Sequence, residues 1–212
     1  MKSLNEKIIK FDLAQVIYYS MILILLRVDL ILIDNTPTGG DMGAHVVPIK
    51  YFIENFASSF KINGWSNDWF AGYPLYFFYF PFPAILTYLF NLIVPYGVAF
   101  KLMVAGSIVL VVYSIEKLFR KEDYLFSHIG IGAGLMFALT ESFTIYGGNL
   151  ASTLAGQFSF TYSLGFANLA IYYITKSKHK YKVPISSIFL SLCLLSHLIP
   201  FMLYLPAYSI YW

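Results

Sequence analysis

Five stretches of about twenty mostly apolar residues dominate this chain, at roughly 12–33, 97–117, 124–142, 156–175 and 184–205. That is the length an α-helix needs to cross the ~30 Å hydrocarbon core of a bilayer. Lipid offers backbone N–H and C=O groups no partners, so such runs fold as helices that satisfy their own. The composition agrees, with 58% hydrophobic and only 12% charged residues and a mean hydropathy of +0.67, whereas soluble domains are about a quarter charged. The expected fold class is all-α: a polytopic integral membrane helical bundle of about five spans, forming one transmembrane module over 1–212. The first run is longer than the apolar region of a signal peptide, and no small-residue cleavage site follows it. It reads as an uncleaved anchor.

A further apolar piece, "FPFPAILTYLFNLIV" (80–94), is short and bounded by proline, which predicts an interfacial or re-entrant helix. Charge decides between this and a sixth crossing. If 80–94 does not cross, Lys2, Lys7 and Lys10, then Lys117, Arg120 and Lys121, then Lys176, Lys178, Lys180 and Lys182 all fall on one side. These are ten of the fourteen basic residues, and the positive-inside rule assigns that side to the cytoplasm. The N-terminus is then inside, and 34–96 is the largest outer segment. The basic residues flank apolar runs rather than forming a stripe, so no nucleic-acid footprint is present. Lone Cys193 excludes a disulfide framework.

The outer segment opens on "NTPTGGDMGAH" (35–45). Taken locally, Asp41 reads as an N-cap or Asx-turn at a membrane exit. After it, Val46, Ile49, Ile53, Phe56 and Phe60 recur at helical spacing, with Lys50, Glu54 and Ser58 on other faces. This predicts an amphipathic surface helix. Pro48 allows two starts: near Val47, or earlier with Asp41 as cap and a kink at the proline. Next, "GWSNDWFAGYPLYFFYFPFP" places Trp65, Trp69, Tyr73, Tyr76 and Tyr79 close together. They suit an aromatic belt at the headgroups, or a surface that stacks against sugar rings or a lipid carrier.

An acidic motif directly after the first span, an outer surface helix, and a "PLY" segment leading to a span that ends in basic "KLFRK" resemble the GT-C superfamily of membrane glycosyltransferases. More specifically, "TPTGGDMGAH", "GWSNDWFAGYPLYFFYFPFPAIL", "PYGVAFKL", "YGGNLASTLAGQFSFTYSL" and "SHLIP" look like a prokaryotic membrane family labelled "6-pyruvoyl-tetrahydropterin synthase-related". The likeness runs in order over most of 36–206. The soluble pterin enzyme needs three clustered zinc-binding histidines, whereas His45, His128, His179 and His197 are scattered.

GT-C likeness implies transfer of a sugar from a polyprenyl-phosphate donor to a glycan or lipid acceptor, on the outer face of a prokaryotic plasma membrane. The superfamily's first-loop acid falls on Asp41, as base or metal-linked activator of the acceptor. A carboxylate within hydrogen-bond reach of a hydroxyl can take its proton as the new bond forms. One acidic motif without a second carboxylate beside it defines no metal site, so whether a divalent cation assists stays open.

Other candidates carry two readings each. His45, four residues after Asp41 and on its face if the segment is helical, is a ligand, a proton shuttle or a structural histidine. Arg27 reads as a binder of donor phosphate or as a snorkelling cation; Asp29, two residues away, would not face it on a helix. Asp68 is a turn residue or a sugar-hydroxyl acceptor. Trp65 and Trp69 are belt or stacking residues. In "YGGNLASTLAG" (146–156), small residues suit close helix packing, while Asn149 and nearby Gln157 could hydrogen-bond substrate. Glu141 is an acid at a membrane edge, and His197 could reach the same cavity or bridge two helices. The chain ends at "AYSIYW", where GT-C proteins usually continue, so the expectation is an N-terminal part of a longer enzyme. The rival classes are a non-catalytic lipid or polysaccharide export component and a secondary transporter; the latter predicts an internal repeat, and none is evident.

Overall fold

The apolar run after residue 95 becomes the longest helix, α5 (Tyr96–Phe119, 24 residues), against which the other elements are arranged. A computed structural model describes residues 13–69, 71–119, 124–141, 147–177 and 179–211, with backbone alone at 13, 14, 124 and 125. Lys2, Lys7, Lys10, Arg120, Lys121 and Lys178 of the basic clusters, and Tyr146 of the glycine-rich motif, lie outside the described residues.

The chain is mostly helical. In order come α1 (Leu13–Leu25), α2 (Val28–Ile31), α3 (Met42–Asn55), a 3-10 turn (Ala57–Ser59), strands β1 (Gly64–Ser66) and β2 (Tyr73–Leu75), and α4 (Phe82–Asn91). After α5 follow α6 (Tyr124–Ala138), α7 (Leu150–Ser152), a π-turn (Thr153–Gln157), α8 (Phe158–Thr175), α9 (Lys182–Ser196) and α10 (Leu198–Tyr211). Among the described residues, α5 is the one helix both long and apolar enough to cross a bilayer; α4, α6, α9, α10 and the described part of α1 are shorter apolar helices.

Side-chain contacts fix the helix directions. Glu116, near the end of α5, accepts from Gln15 Nε2 (2.8 Å) and Tyr19 Oη (2.7 Å) of α1 and from Ser127 Oγ (3.0 Å) of α6. Toward the other end of α5, Ile108 shares a core with Ile22 and Ala138. Both α1 and α6 therefore run antiparallel to α5. Helix α8 runs parallel to it: Phe158 meets Phe100 edge-on at 5.7 Å, Asn168 Nδ2 donates to Ser114 Oγ (3.1 Å), and Lys176 Nζ donates to the Leu118 carbonyl.

The structure differs from the sequence expectation in three places, two of them in expected spans. The first run, expected as one helix over 12–33, breaks at Arg27, whose φ of 52° is left-handed. That break turns Arg27 back onto Asp29 in a two-bond ion pair of 2.7 and 2.9 Å, a pairing the regular helix would have forbidden. Carbonyls left open nearby are met by Lys101, whose Nζ donates to Leu30 O (2.6 Å) and Ile33 O (2.5 Å).

The run 184–205, expected as one span, is instead a helical hairpin. Along α8, Ser163 sits by Cys193 and His197, Ala170 by Ser186, and Asn168 by Tyr204, while Tyr208 returns to Ala170 and Ile174. Pro200 explains the turn: it has no N–H for the carbonyl of Ser196, the last residue of α9, yet fits the first turn of α10. His197 is extended between them (φ −168°, ψ 139°), and its Nδ1 accepts from the Ile199 N–H at 3.2 Å.

The outer segment is not purely helical. Strands β1 and β2 pair antiparallel, Gly64 with Leu75 and Ser66 with Tyr73. Helix α3 takes the earlier of its two expected starts, with Asp41 at the N-cap position and Pro48 inside. Ile49, Phe52 and Phe56 are buried, and Lys50 and Glu54 stand exposed at i,i+4. Phe60, expected on the apolar stripe, lies beyond the helix at φ 55° and is 97% exposed. The short helix over 80–94 is α4, ten residues long, or roughly 15 Å, half a hydrocarbon core.

Candidate functional site

Where α3, the β1–β2 ribbon, α4 and the start of α8 meet, they enclose a cavity of about 500 Å³. One face of α3 forms a wall through Asp41, Ala44, His45 and Pro48; the spacing of three and four keeps them on one side. Pro48 has no N–H to return to the Ala44 carbonyl, so the helix is least regular on the face that meets the cavity. Trp69, Tyr73, Tyr76, Tyr79 and Phe80 form the aromatic side, and Gln157, Phe158 and Ser159 close the third.

Asp41 is held by backbone rather than by capping. It occupies the N-cap position of α3, yet its side chain makes no capping hydrogen bond. Its N–H donates to Ala155 O (2.7 Å), which ties the "GGD" loop to the π-turn before α8. Two glycines permit this approach. A Cβ at Gly40 would fall 2.4 Å from Ala155 O, and one at Gly156 (φ 115°) would fall 2.9 Å from Asp41 Cβ. The carboxylate, exposed to the cavity, accepts from Gln157 Nε2 at 3.3 Å.

His45 packs edge-on against Phe158 (4.8 Å between ring centroids) and tilted against Tyr79 (5.7 Å). Burial lowers its pKa below 6.5, and the Asp41 charge opposes that only in part, so the imidazole is neutral at pH 7. Burial likewise raises the Tyr79 phenol, against the Ser159 hydroxyl, which approaches it as a donor but falls short of hydrogen-bond geometry, and the Asp41 carboxylate adds to the rise. Tyr73 is raised by burial and by Asp68, and Tyr76 is raised well above its usual value by burial. All three phenols stay protonated and can donate hydrogen bonds. Ser159 is 2% exposed, and its Oγ meets no partner in hydrogen-bond geometry.

Of the residues singled out in the sequence, Asp41, His45, Trp69 and Gln157 line this cavity together. His197 stands one ring behind the wall, 4.9 Å from Phe80, which lines it. Trp65 is 58% exposed and lies over Gly72 on the ribbon, and Asp68 is exposed at the ribbon's tip; neither lines the cavity. Glu141 is exposed beyond the end of α6 and does not line it either.

Asn149 is buried with its amide consumed internally: Oδ1 caps the Ser152 N–H (2.9 Å) and Nδ2 donates to Thr140 O. Arg27 lines a different cavity of about 360 Å³, between α2 and α5, with Lys101 and Thr38. Sequence reasoning missed Ser159; it read Tyr73, Tyr76 and Tyr79 as belt or stacking residues, and all three line the cavity. It also passed over Glu116, which is 3% exposed. Among the described residues, no three His, Cys, Asp or Glu side chains converge as a metal site.

Fold and site together define a mostly helical protein with an aromatic-walled cavity lined by the Asp41 carboxylate. Comparison with protein-family models, curated proteins and solved structures finds no match.

Proposed function

We propose that the chain is a membrane-embedded glycosyltransferase. It moves a sugar from a polyprenyl-phosphate donor to a glycan or lipid acceptor outside a prokaryotic plasma membrane. The observation that carries this reading is Asp41: a carboxylate at a helix start, excused from capping, anchored by its backbone and presented with Gln157 to an aromatic cavity. Aromatic walls offer flat apolar surface to a sugar ring, and a few polar groups set its orientation. The acceptor oxygen bonds to the anomeric carbon as the carbon–oxygen bond to the lipid phosphate breaks. The leaving phosphate keeps the electron pair, and Asp41 takes the acceptor proton.

The membrane reading draws support from the helix directions. Ser159 at the cavity and Lys176 at the other end of α8 are about 26 Å apart along the helix axis. Lys117 and Lys176 lie at one end of the α5–α8 pair, Lys176 reaching Leu118, and the cavity lies at the other. The positive-inside rule then puts the cavity outside. In this reading α1–α2, α5, α6 and α8 cross, α4 is interfacial, and α9–α10 enters as a hairpin. Interrupted helices are tolerated in a membrane where freed backbone groups find partners, as Lys101 and Ser163 provide here.

Reconstituted protein given short-chain polyprenyl-phosphate sugars and a panel of glycan and glycolipid acceptors tests the function. Labelled sugar appears on an acceptor if the reading is right. A folded protein that transfers from no donor in the panel rejects it.

A further inference from the structure

Ser159 is the second residue of α8, and its hydroxyl faces a problem that its neighbours do not. Buried hydroxyls in this protein find partners: Ser107, Ser114, Thr87 and Ser186 all donate to backbone carbonyls within 2.6–2.8 Å. Those carbonyls are the usual outlet for a helical serine. Ser159 Oγ takes no such bond although it is equally buried. A buried polar group without a partner costs more than a hydrogen bond gains, and folded proteins rarely leave one without reason.

The position supplies the reason. Ser159 lines the cavity with Tyr79 and His45. The Tyr79 phenol lies near enough to feel Ser159, while the His45 ring is wedged between Tyr79 and Phe158. These are uncharged groups able both to give and to accept hydrogen bonds. The charged group, Asp41, pairs with Gln157 one helical turn from His45 on the same wall, and its negative charge, felt by His45 and Tyr79, further disfavours an anion there. An uncharged donor–acceptor cluster suits an alcohol, which also gives and accepts, better than it suits a phosphate or carboxylate, which would seek a cation.

We propose that Ser159, flanked by Tyr79 and His45, is a hydroxyl-recognition subsite that makes the cavity prefer a hydroxylated ring to a deoxy ring of the same shape. The physical lever is asymmetric. A ligand bearing the hydroxyl completes Ser159; one lacking it leaves the group buried and unpaired, so discrimination exceeds the gain from a single surface hydrogen bond. This specificity role rests on the cavity being a sugar site, as in the function above, but not on Asp41 acting as base.

The test is binding without transfer. Protein in a detergent with no sugar headgroup is titrated with octyl glucoside, galactoside and mannoside, and with the monodeoxy analogues of whichever binds. Intrinsic tryptophan fluorescence reports occupancy, since Trp69 lines the cavity. The wild type should bind one monodeoxy analogue about 10- to 100-fold more weakly than its parent. In Ser159→Ala that ratio should collapse to within about threefold, the signature of a coupled pair. Ser159→Cys, closer in size and weaker in hydrogen bonding, should give an intermediate ratio, and it carries the test if the alanine variant does not fold. Equal binding of every deoxy analogue by the wild type, a ratio that survives in both variants, or no binding of any glycoside overturns the subsite. No donor is present, so failure here leaves the Asp41 assignment standing, and loss of that assignment would leave this result intact.

Discussion

Gln157 Nε2 stands 3.3 Å from Asp41 Oδ2, although 116 positions separate the two residues in the chain. The contact depends on the π-turn before α8, where Gly156 adopts φ 115° and its Cα passes against Asp41. The candidate base is thus positioned by a backbone irregularity in a distant segment.

Replacing Gly156 tests that dependence. In Gly156→Ala the new Cβ would lie 2.9 Å from Asp41 Cβ at a φ that L-residues avoid. The strain costs about 1–3 kcal/mol, and moving Asp41 by a fraction of an ångström to an ångström should cut transfer by about 10²-fold. A thermal unfolding scan alongside the transfer assay separates the two effects. Full activity in a folded variant would mean that Gly156 does not set the Asp41 position.

Much of this was legible in the sequence, and the failures have physical causes. Helical character followed from apolar run length, and α3 followed from the spacing of Val46, Ile49, Ile53 and Phe56. The signal for the α9–α10 turn was present in "SHLIP", because a proline four residues after Ser196 removes that carbonyl's partner. It was hidden by continuous hydrophobicity on both sides. The break at Arg27 has no comparable signal, since a left-handed arginine inside an apolar run is unfavourable by itself and persists through the Asp29 pair and the Lys101 bonds nearby.

The site was half legible. Asp41, His45 and Gln157 stand in glycine-bearing stretches with polar residues, whereas Ser159 lies in "QFSFTYS", which reads as plain helix packing. Its significance comes from a hydrogen bond it does not make, and only three-dimensional placement reveals that. Glu116 was overlooked because it adjoins the basic end of α5 and reads there as one more surface charge.

His45 predicts a pH dependence of stability. Its folded pKa lies below the unfolded value of 6.5 because burial disfavours the imidazolium, so the unfolded chain binds more protons between the two values. Stability from this residue is fully present above pH 6.5 and is lost as pH falls from 6.5 through the folded pKa. Unfolding midpoints measured from pH 7.5 to 5.5 should drop in the wild type and drop less in His45→Gln. Parallel curves would show that His45 is not the group responsible.

Glu116 should matter to folding rather than to transfer. Truncation to alanine strands Gln15, Tyr19 and Ser127, which lie on two other helices. Loss of these three hydrogen bonds should cost about 2–4 kcal/mol, read as a lower unfolding midpoint, with Glu116→Gln retaining part of the network. A Glu116→Ala protein as stable as the wild type would show that α1 and α6 are held on α5 by apolar packing alone.

Asp41→Asn bears most directly on the account. Asparagine keeps the size of the side chain and an oxygen for Gln157, but cannot take a proton at neutral pH. Transfer from the polyprenyl-phosphate donor should fall by about 10²- to 10⁴-fold, with the unfolding midpoint and glycoside binding unchanged. A transfer rate equal to that of the wild type would contradict the assignment of Asp41 as the base.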